Sequence, residues 1–267
     1  MQKLWLQEEP GARTTNQYGK KQEYAKHVHK PKLEKILKVR TKALKPLTKN
    51  LKSVGRLKHF VKNWKTITHD PWVLKTIMGY KIDFMTEPIQ FALPATPNFN
   101  ATEIKLVDEE VKTLLQKGAI QLSNHEDNEF ISNIFLVKKK NGKYRPVINL
   151  RKLNEFVEYN HFKQETLDIV LKSINKNNFF TSLDLTDAYF SIPMHSSSIK
   201  YLKFYWKDKL YAFQCLPFGI SSAPRIFTKI MKVVFSHIRS LGISSFFYID
   251  DSLLQAESCI QANQNTK

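Results

Sequence analysis

The sequence predicts an α+β fold, on three observations. Asn141-Gly142 separates two runs of extended-favouring residues, the pattern of a two-residue hairpin turn whose central positions need positive φ. Two further stretches, FFTSLDLTDAYFSIPM (179–194) and ISSFFYIDDSLL (243–254), are rich in aromatic and β-branched residues. Against these strands stand two stretches with apolar residues at helical spacing, 101–117 and 222–241.

Composition narrows the function. The 267 residues carry 42% hydrophobic and 12% aromatic residues, enough for a core, and a formal charge of +18. So large an excess favours polyanionic partners, nucleic acid ahead of an anionic membrane surface. No run of 18 apolar residues exists, and MQKLWLQEEP at the start lacks the apolar stretch of a signal peptide. The expectation is an intracellular protein of cytoplasm or nucleus, neither secreted nor membrane-bound. Cys215 and Cys259 lie far apart without a CxxC pattern, so two reduced thiols are expected in place of a zinc site or a disulfide.

In chain order, residues 1–65 hold 18 Lys and Arg against 4 acids, a net +14, and read as a partly helical basic extension that suits a phosphate backbone. Pro71, Pro88, Pro94 and Pro97 mark residues 70–100 as an extended connector. Ile104, Val107, Val111, Leu114 and Leu115 then define a helix over 101–117, with Thr102 as cap and Gly118 as stop. In LVKKKNGKYRPVINL, a two-residue loop sets Lys140 opposite Lys143 and Lys138 opposite Arg145, all four on one face. Opposed like charges destabilise a sheet, so this face is either a solvated edge that blocks aggregation, as lysine-rich hairpin tips often are, or the seat of an anionic ligand. Ile226, Phe227, Ile230, Met231, Val234 and Ile238 form the stripe of the last helix, which Gly242 ends.

Asp184 lies in an otherwise apolar strand, and Asp250-Asp251 sit between apolar runs, as at the tip of a hairpin. A carboxylate in such surroundings needs a partner, a hydrogen bond or a cation. If the Asp184 strand lies beside that hairpin, three acids meet at one sheet edge, where their repulsion calls for divalent cations. Hard Mg²⁺ suits carboxylate oxygens and substrate phosphates, and two such ions serve phosphoryl transfer.

These stretches, in order and spacing, resemble the central motifs of reverse transcriptases: residues 179–194, CLPFGISSAPRIFTKIM (215–231) and YIDD (248–251), with YRPVINLRKLN (144–154) similar to the nucleotide-binding fingers motif. With GRLKHFVKNWKTITHDPWVLKTIMGYKI (55–82), the pattern looks most like the DIRS group of retrotransposons, gypsy-type and retroviral enzymes being the nearest relatives. The resemblance implies a right-hand polymerase fold with palm and fingers: an extension and connector over 1–95, fingers over 96–178, and a palm over 179–267 with a fingers insertion around 191–215. The thumb is expected to be missing and the palm incomplete at its carboxyl end. It implies an RNA-directed DNA polymerase with Mg²⁺ as cofactor (two ions, Mn²⁺ as the alternative), working on an RNA or DNA template with primer and on deoxynucleoside triphosphates.

By resemblance, Asp184, Asp250 and Asp251 are the metal-binding catalytic acids, Asp251 the most peripheral. Arg145 matches the arginine against the nucleotide's phosphates. The matching lysine is Lys138 or Lys139, and the hairpin register above favours Lys138. Tyr189 falls on the aromatic below the sugar that excludes a ribose 2′-hydroxyl; RNA-dependent RNA polymerases usually place an acid there. Phe218 and Gly219 match the nucleotide and template pocket, although retroviral enzymes carry glutamine in place of Phe218. Asp187 is left without a side-chain role. The competing reading is a non-catalytic nucleic-acid-binding fragment of a mobile element.

Overall fold

The structure, a computed structural model, describes residues 54–95, 97–138, 142 and 144–266. The basic run before residue 54, Lys139 and the Asn141 turn position lie outside them.

After a 3-10 turn at Arg56–Phe60 come two short helices, α1 (Val61–Ile67) and α2 (Pro71–Met78). The second replaces the start of the expected connector. Asp70 is its N-cap, with Oδ1 accepting from the Trp72 and Val73 N–H groups at 2.8 and 3.3 Å, and Pro71 occupies the first turn, where no N–H is needed. The proline that suggested a break is a helix start. Trp64, Val73, Ile77, Tyr80 and Ile82 all enter the main core.

Helix α3 (Ala101–Lys117) has the expected bounds, but its cap is Asn100. The Asn100 side chain accepts from the Thr102 and Glu103 N–H groups while Glu103 accepts from the Asn100 N–H, a complete capping box. Gly118, at φ 77°, ends the helix in the left-handed region. The chain continues through β1 (Ile120–Leu122), β2 (Ile131–Ser132), β3 (Ile134–Lys138), β4 (Tyr144–Ile148), α4 (Arg151–Asn154), α5 (Leu167–Ser173), β5 (Phe179–Asp184), α6 (Ser196–Ile199), β6 (Lys203–Trp206), β7 (Lys209–Phe213), α7 (Ala223–Ser240), β8 (Ser244–Tyr248), β9 (Asp251–Ala256) and α8 (Cys259–Asn265).

Among the described residues three sheets result: a four-stranded one ordered β1-β7-β6-β2, the β3-β4 hairpin, and a three-stranded antiparallel one ordered β5-β9-β8. Helix α7 backs the last. Its Ile226, Phe227 and Ile230 enter the main core, and Phe235 stacks on Phe247 of β8 with ring centroids 4.6 Å apart. Partners across a ladder share a face. Phe247 and Leu254, which cluster with Phe235, therefore define the helix side. Asp184, Asp251 and Tyr248, one step out of phase with them, lie on the opposite side.

The fingers hairpin departs from its expected register. Lys138 pairs with Tyr144 and Val137 with Arg145, one residue away from the Lys138–Arg145 pairing. A one-residue slip exchanges faces. Lys138 thus shares a face with Tyr144 and Pro146, and Arg145 projects from the other with Val137 and Val147. The Asn-Gly signal tolerates both registers, because Gly142 supplies positive φ (80°) in a two-residue turn or a longer one. Among the described residues no helix is long and apolar enough to cross a membrane, and both cysteines are free.

Candidate active site

The site is built at the open end of the β5-β9-β8 sheet. Tyr248 pairs with Asp251, leaving Ile249 and Asp250 as a two-residue turn, and Ile249 has φ 55°. Such turns usually place glycine at that position, and a β-branched residue there is strained. Ile249 nevertheless packs against the main core, which holds the conformation in place. The turn puts Asp250 at the tip and Asp251 at the head of β9. Asp184, the last residue of β5, stands directly opposite Asp251, and the Leu185 N–H donates to the Asp250 carbonyl at 3.0 Å. Acids 66 residues apart are thereby brought to one sheet end. Burial, then the charges of Asp250 and Asp184, raise the Asp251 carboxyl above its ordinary range.

Past Asp184 the chain turns at Asp187, whose φ of 53° starts the 3-10 turn Ala188–Ser191. The Asp187 carboxylate caps nothing in that turn; Lys117, the last residue of α3, holds it at 2.7 Å. Tyr189 is 6% exposed, its ring 4.9 Å from Phe218 and 5.4 Å from Phe227. Burial first, then the nearby Asp250 and Tyr248, push its hydroxyl up to about 12. Phe218 is 41% exposed, and Gly219 has φ 103°. Asn154 of α4 clamps this loop: its Nδ2 donates to the Gly219 carbonyl at 2.9 Å, and its Oδ1 accepts from the Ser221 N–H at 2.9 Å. A cavity beside the site is lined by Arg145, Lys117, Asp187 and Phe218 over an apolar floor including Val111 and Phe213.

Of the sequence-predicted residues, Asp184, Asp250, Asp251 and Tyr189 lie together, Tyr189 joins Phe218, and Arg145 reaches the cavity that Phe218 lines. The hairpin register turns Lys138 away from the face of Arg145, so the argument that favoured Lys138 fails. Lys139 lies outside the described residues. Sequence reasoning missed Lys117 and Asn154. Asn154 ends the YRPVINLRKLN motif, so its signal was present, and Lys117 is marked only by preceding the helix-stopping glycine.

The acids offer hard oxygen donors whose mutual repulsion a cation would relieve, which fits Mg²⁺ or Mn²⁺. Among the described residues no three acidic, His or Cys side chains form a ready cage.

An antiparallel sheet backed by a long helix, with acids at its open end and a cationic hairpin nearby, defines the palm-and-fingers part of a nucleic-acid polymerase. Residues 137–266, just under half of the chain, match the family model described as reverse transcriptase (RNA-dependent DNA polymerase). Polyprotein P3 of Commelina yellow mottle virus is 27% identical over 202 residues, 71% of this chain and 10% of the polyprotein. The Retrovirus-related Pol polyprotein from transposon opus of Drosophila melanogaster is 33% identical over 157 residues, 57% of this chain and 15% of the relative. That from transposon gypsy is 31% identical over 158 residues, 57% and 15%. The foamy viral protease-reverse transcriptase, solved in complex with dsDNA, shares the fold at TM-score 0.59 and 20% identity, covering 69% of this chain and 37% of that one. The chain thus spans a small part of the relatives it matches, and the matches support a retrotransposon-type domain without resolving the DIRS group.

Proposed function

We propose that this chain is the catalytic core of an RNA-directed DNA polymerase of a DIRS-like retrotransposon. The observation that carries the reading is the direct opposition of Asp184 and Asp251, with Asp250 in the turn beside them. In the reaction, a primer 3′-oxygen bonds to the α-phosphorus of a deoxynucleoside triphosphate, and the bond to the bridging oxygen breaks to release pyrophosphate. The side chains of Asp184 and Asp250, with Asp251 at the periphery, would hold two Mg²⁺ ions, which would supply activation of the attacking oxygen and charge stabilisation at the leaving one. Arg145 neutralises the triphosphate as charge develops. Tyr189, fixed between Phe218 and Phe227, closes the space beside the sugar at C2′, and Phe218 and Gly219 line the base pocket. Template and primer bind along the same side of the sheet as the acids.

The test is extension of a primed RNA template with Mg²⁺ by this chain and by Asp250→Asn. Addition of even one nucleotide by the unaltered chain and its loss in the variant support the reading; equal activity in both removes the catalytic assignment. In the same assay Tyr189→Ala admits ribonucleotides while Tyr189→Phe excludes them as the parent does. A Tyr189→Ala chain with unchanged sugar selectivity rejects the gate.

A further inference from the structure

We infer that the groove between the α1–α2 connection and the outer face of α7 binds a single-stranded nucleic-acid backbone, apart from the catalytic face. Helix α7 presents Lys229, Lys232, Ser236 and His237 along one side, and Thr68 and Asp70 of the connection lie across from them. Three observations point to a polyanion.

First, the lysines of the groove are not neutralised by a carboxylate, in contrast to Lys117, Lys203, Lys207 and Arg239. Among the described residues Lys229 and Lys232 of the groove, and the exposed Lys62 and Lys65 of the adjoining α1, form no ion pair. The one acid of the groove, Asp70, is committed to capping α2.

Second, the groove is ordered. The Lys229 ammonium sits 3.8 Å from the ring centre of half-buried Trp72, a cation–π contact that fixes its position at the rim. Thr68 Oγ1 accepts from the Asp70 N–H, which leaves its own O–H free to donate to a phosphate. From Lys229 to His237 the helix rises about 12 Å at 1.5 Å per residue. That length lets the helix meet more than one phosphate of a single strand.

Third, the placement excludes the catalytic channel. Helix α7 covers the Phe247 and Leu254 side of the three-stranded sheet, and Asp184 and Asp251 occupy the other. A strand in this groove is therefore a separate stretch from the one being copied. The sequence supports a long polyanion over a discrete anion, since basic residues continue from α1 back through the first 53 positions. The inference stands without the polymerase reading.

The test uses the full chain with a labelled single-stranded RNA, by anisotropy across a salt series and by photo-crosslinking with mass-spectrometric mapping. Expected are adducts on the peptides carrying Trp72 and Lys229–His237 in the unaltered protein. Lys229→Gln/Lys232→Glu weakens binding at least about tenfold and lowers the slope of log affinity against log salt by about 1.4, from two phosphate contacts at about 0.7 each. Crosslinks confined to the residues before 54 or to the catalytic side overturn the inference. So does displacement by polyglutamate or inorganic phosphate at the charge concentration at which unlabelled RNA acts, which would make the groove a general anion site. Mapping on the unaltered chain decides the matter even if the double variant fails to fold.

Discussion

Asp184 and Asp251 face each other as a directly paired couple in the β5–β9 ladder, where any two like charges weaken the sheet. The sheet tolerates them at its open end, where water and a cation can reach both. Because burial, Asp250 and Asp184 raise the Asp251 carboxyl, the folded chain binds that proton more tightly than the unfolded chain. Stability from this group is therefore greatest at low pH and falls as pH rises from the ordinary 3.8 through the raised folded value. Denaturation temperatures measured with chelator should show this fall, and Asp251→Asn should remove its share. At neutral pH, Mg²⁺ should raise the denaturation temperature of the parent and leave Asp184→Asn/Asp250→Asn unmoved. An equal rise in both would deny the acids a role in holding the cation.

The fingers register separates two basic residues that the sequence put on one face. Arg145 shares its face with Val137 and lines the cavity beside the site, and Lys138 shares its face with Tyr144. Arg145→Ala should raise the KM for the incoming nucleotide about tenfold or more, the loss of one charge-assisted contact. Lys138→Ala should leave it within about twofold. Steady-state incorporation on a primed template checks the pair, and a larger effect at Lys138 would restore the original register.

Lys203 is fully buried and held by Glu129 at 2.7 Å and Glu126 at 2.8 Å, with the Asn124 carbonyl at 2.7 Å. It pins the 124–129 loop to β6. Lys203→Met should cost about 3 kcal/mol, because Glu129 keeps its charge and loses its partner. Burial raises the Glu129 carboxyl, but hydrogen bonds from Lys203, His125 and the Glu126 N–H outweigh it and hold the group below its ordinary value. Its contribution is complete above the ordinary 4.5 and disappears as pH falls through the lowered folded value. Chemical denaturation of the parent and Lys203→Met at pH 7 and at acidic pH should show the gap closing with acid.

The parts of this fold that could be read from sequence were those with one dominant local cause. Helix α3 announced itself by spacing and a terminal glycine, and α7 by its stripe. The Asp250-Asp251 hairpin was legible because apolar strands flanked two acids that could not be core. The register at Lys138 was not, since glycine fits more than one turn length and only packing chooses between them. Helix α2 was hidden by Pro71, which breaks a helix in the interior and favours its first turn, so its meaning depended on Asp70 before it. The Lys117–Asp187 and Asn154–Gly219 contacts, across 70 and 65 positions, had no local signature at all.

Asn154 offers the sharpest test of how the nucleotide pocket is held. Its amide nitrogen donates to the Gly219 carbonyl while its oxygen accepts from the Ser221 N–H, so one side chain fixes both sides of the loop that carries Phe218. Gly219 itself is required by φ 103°: an added Cβ would meet Ile148 O only at 3.6 Å, an ordinary contact, so the cost of Gly219→Ala is conformational, about 1–3 kcal/mol. Asn154→Ala deletes both hydrogen bonds and should cost about 1–2 kcal/mol. Asn154→Asp keeps the acceptor for Ser221 but faces a carboxylate towards the Gly219 carbonyl. If donation to Gly219 is the important half, Asn154→Asp should raise the nucleotide KM at least as much as Asn154→Ala, with the smaller change in kcat for both. A parent-like Asn154→Asp would mean that the Ser221 contact alone shapes the loop.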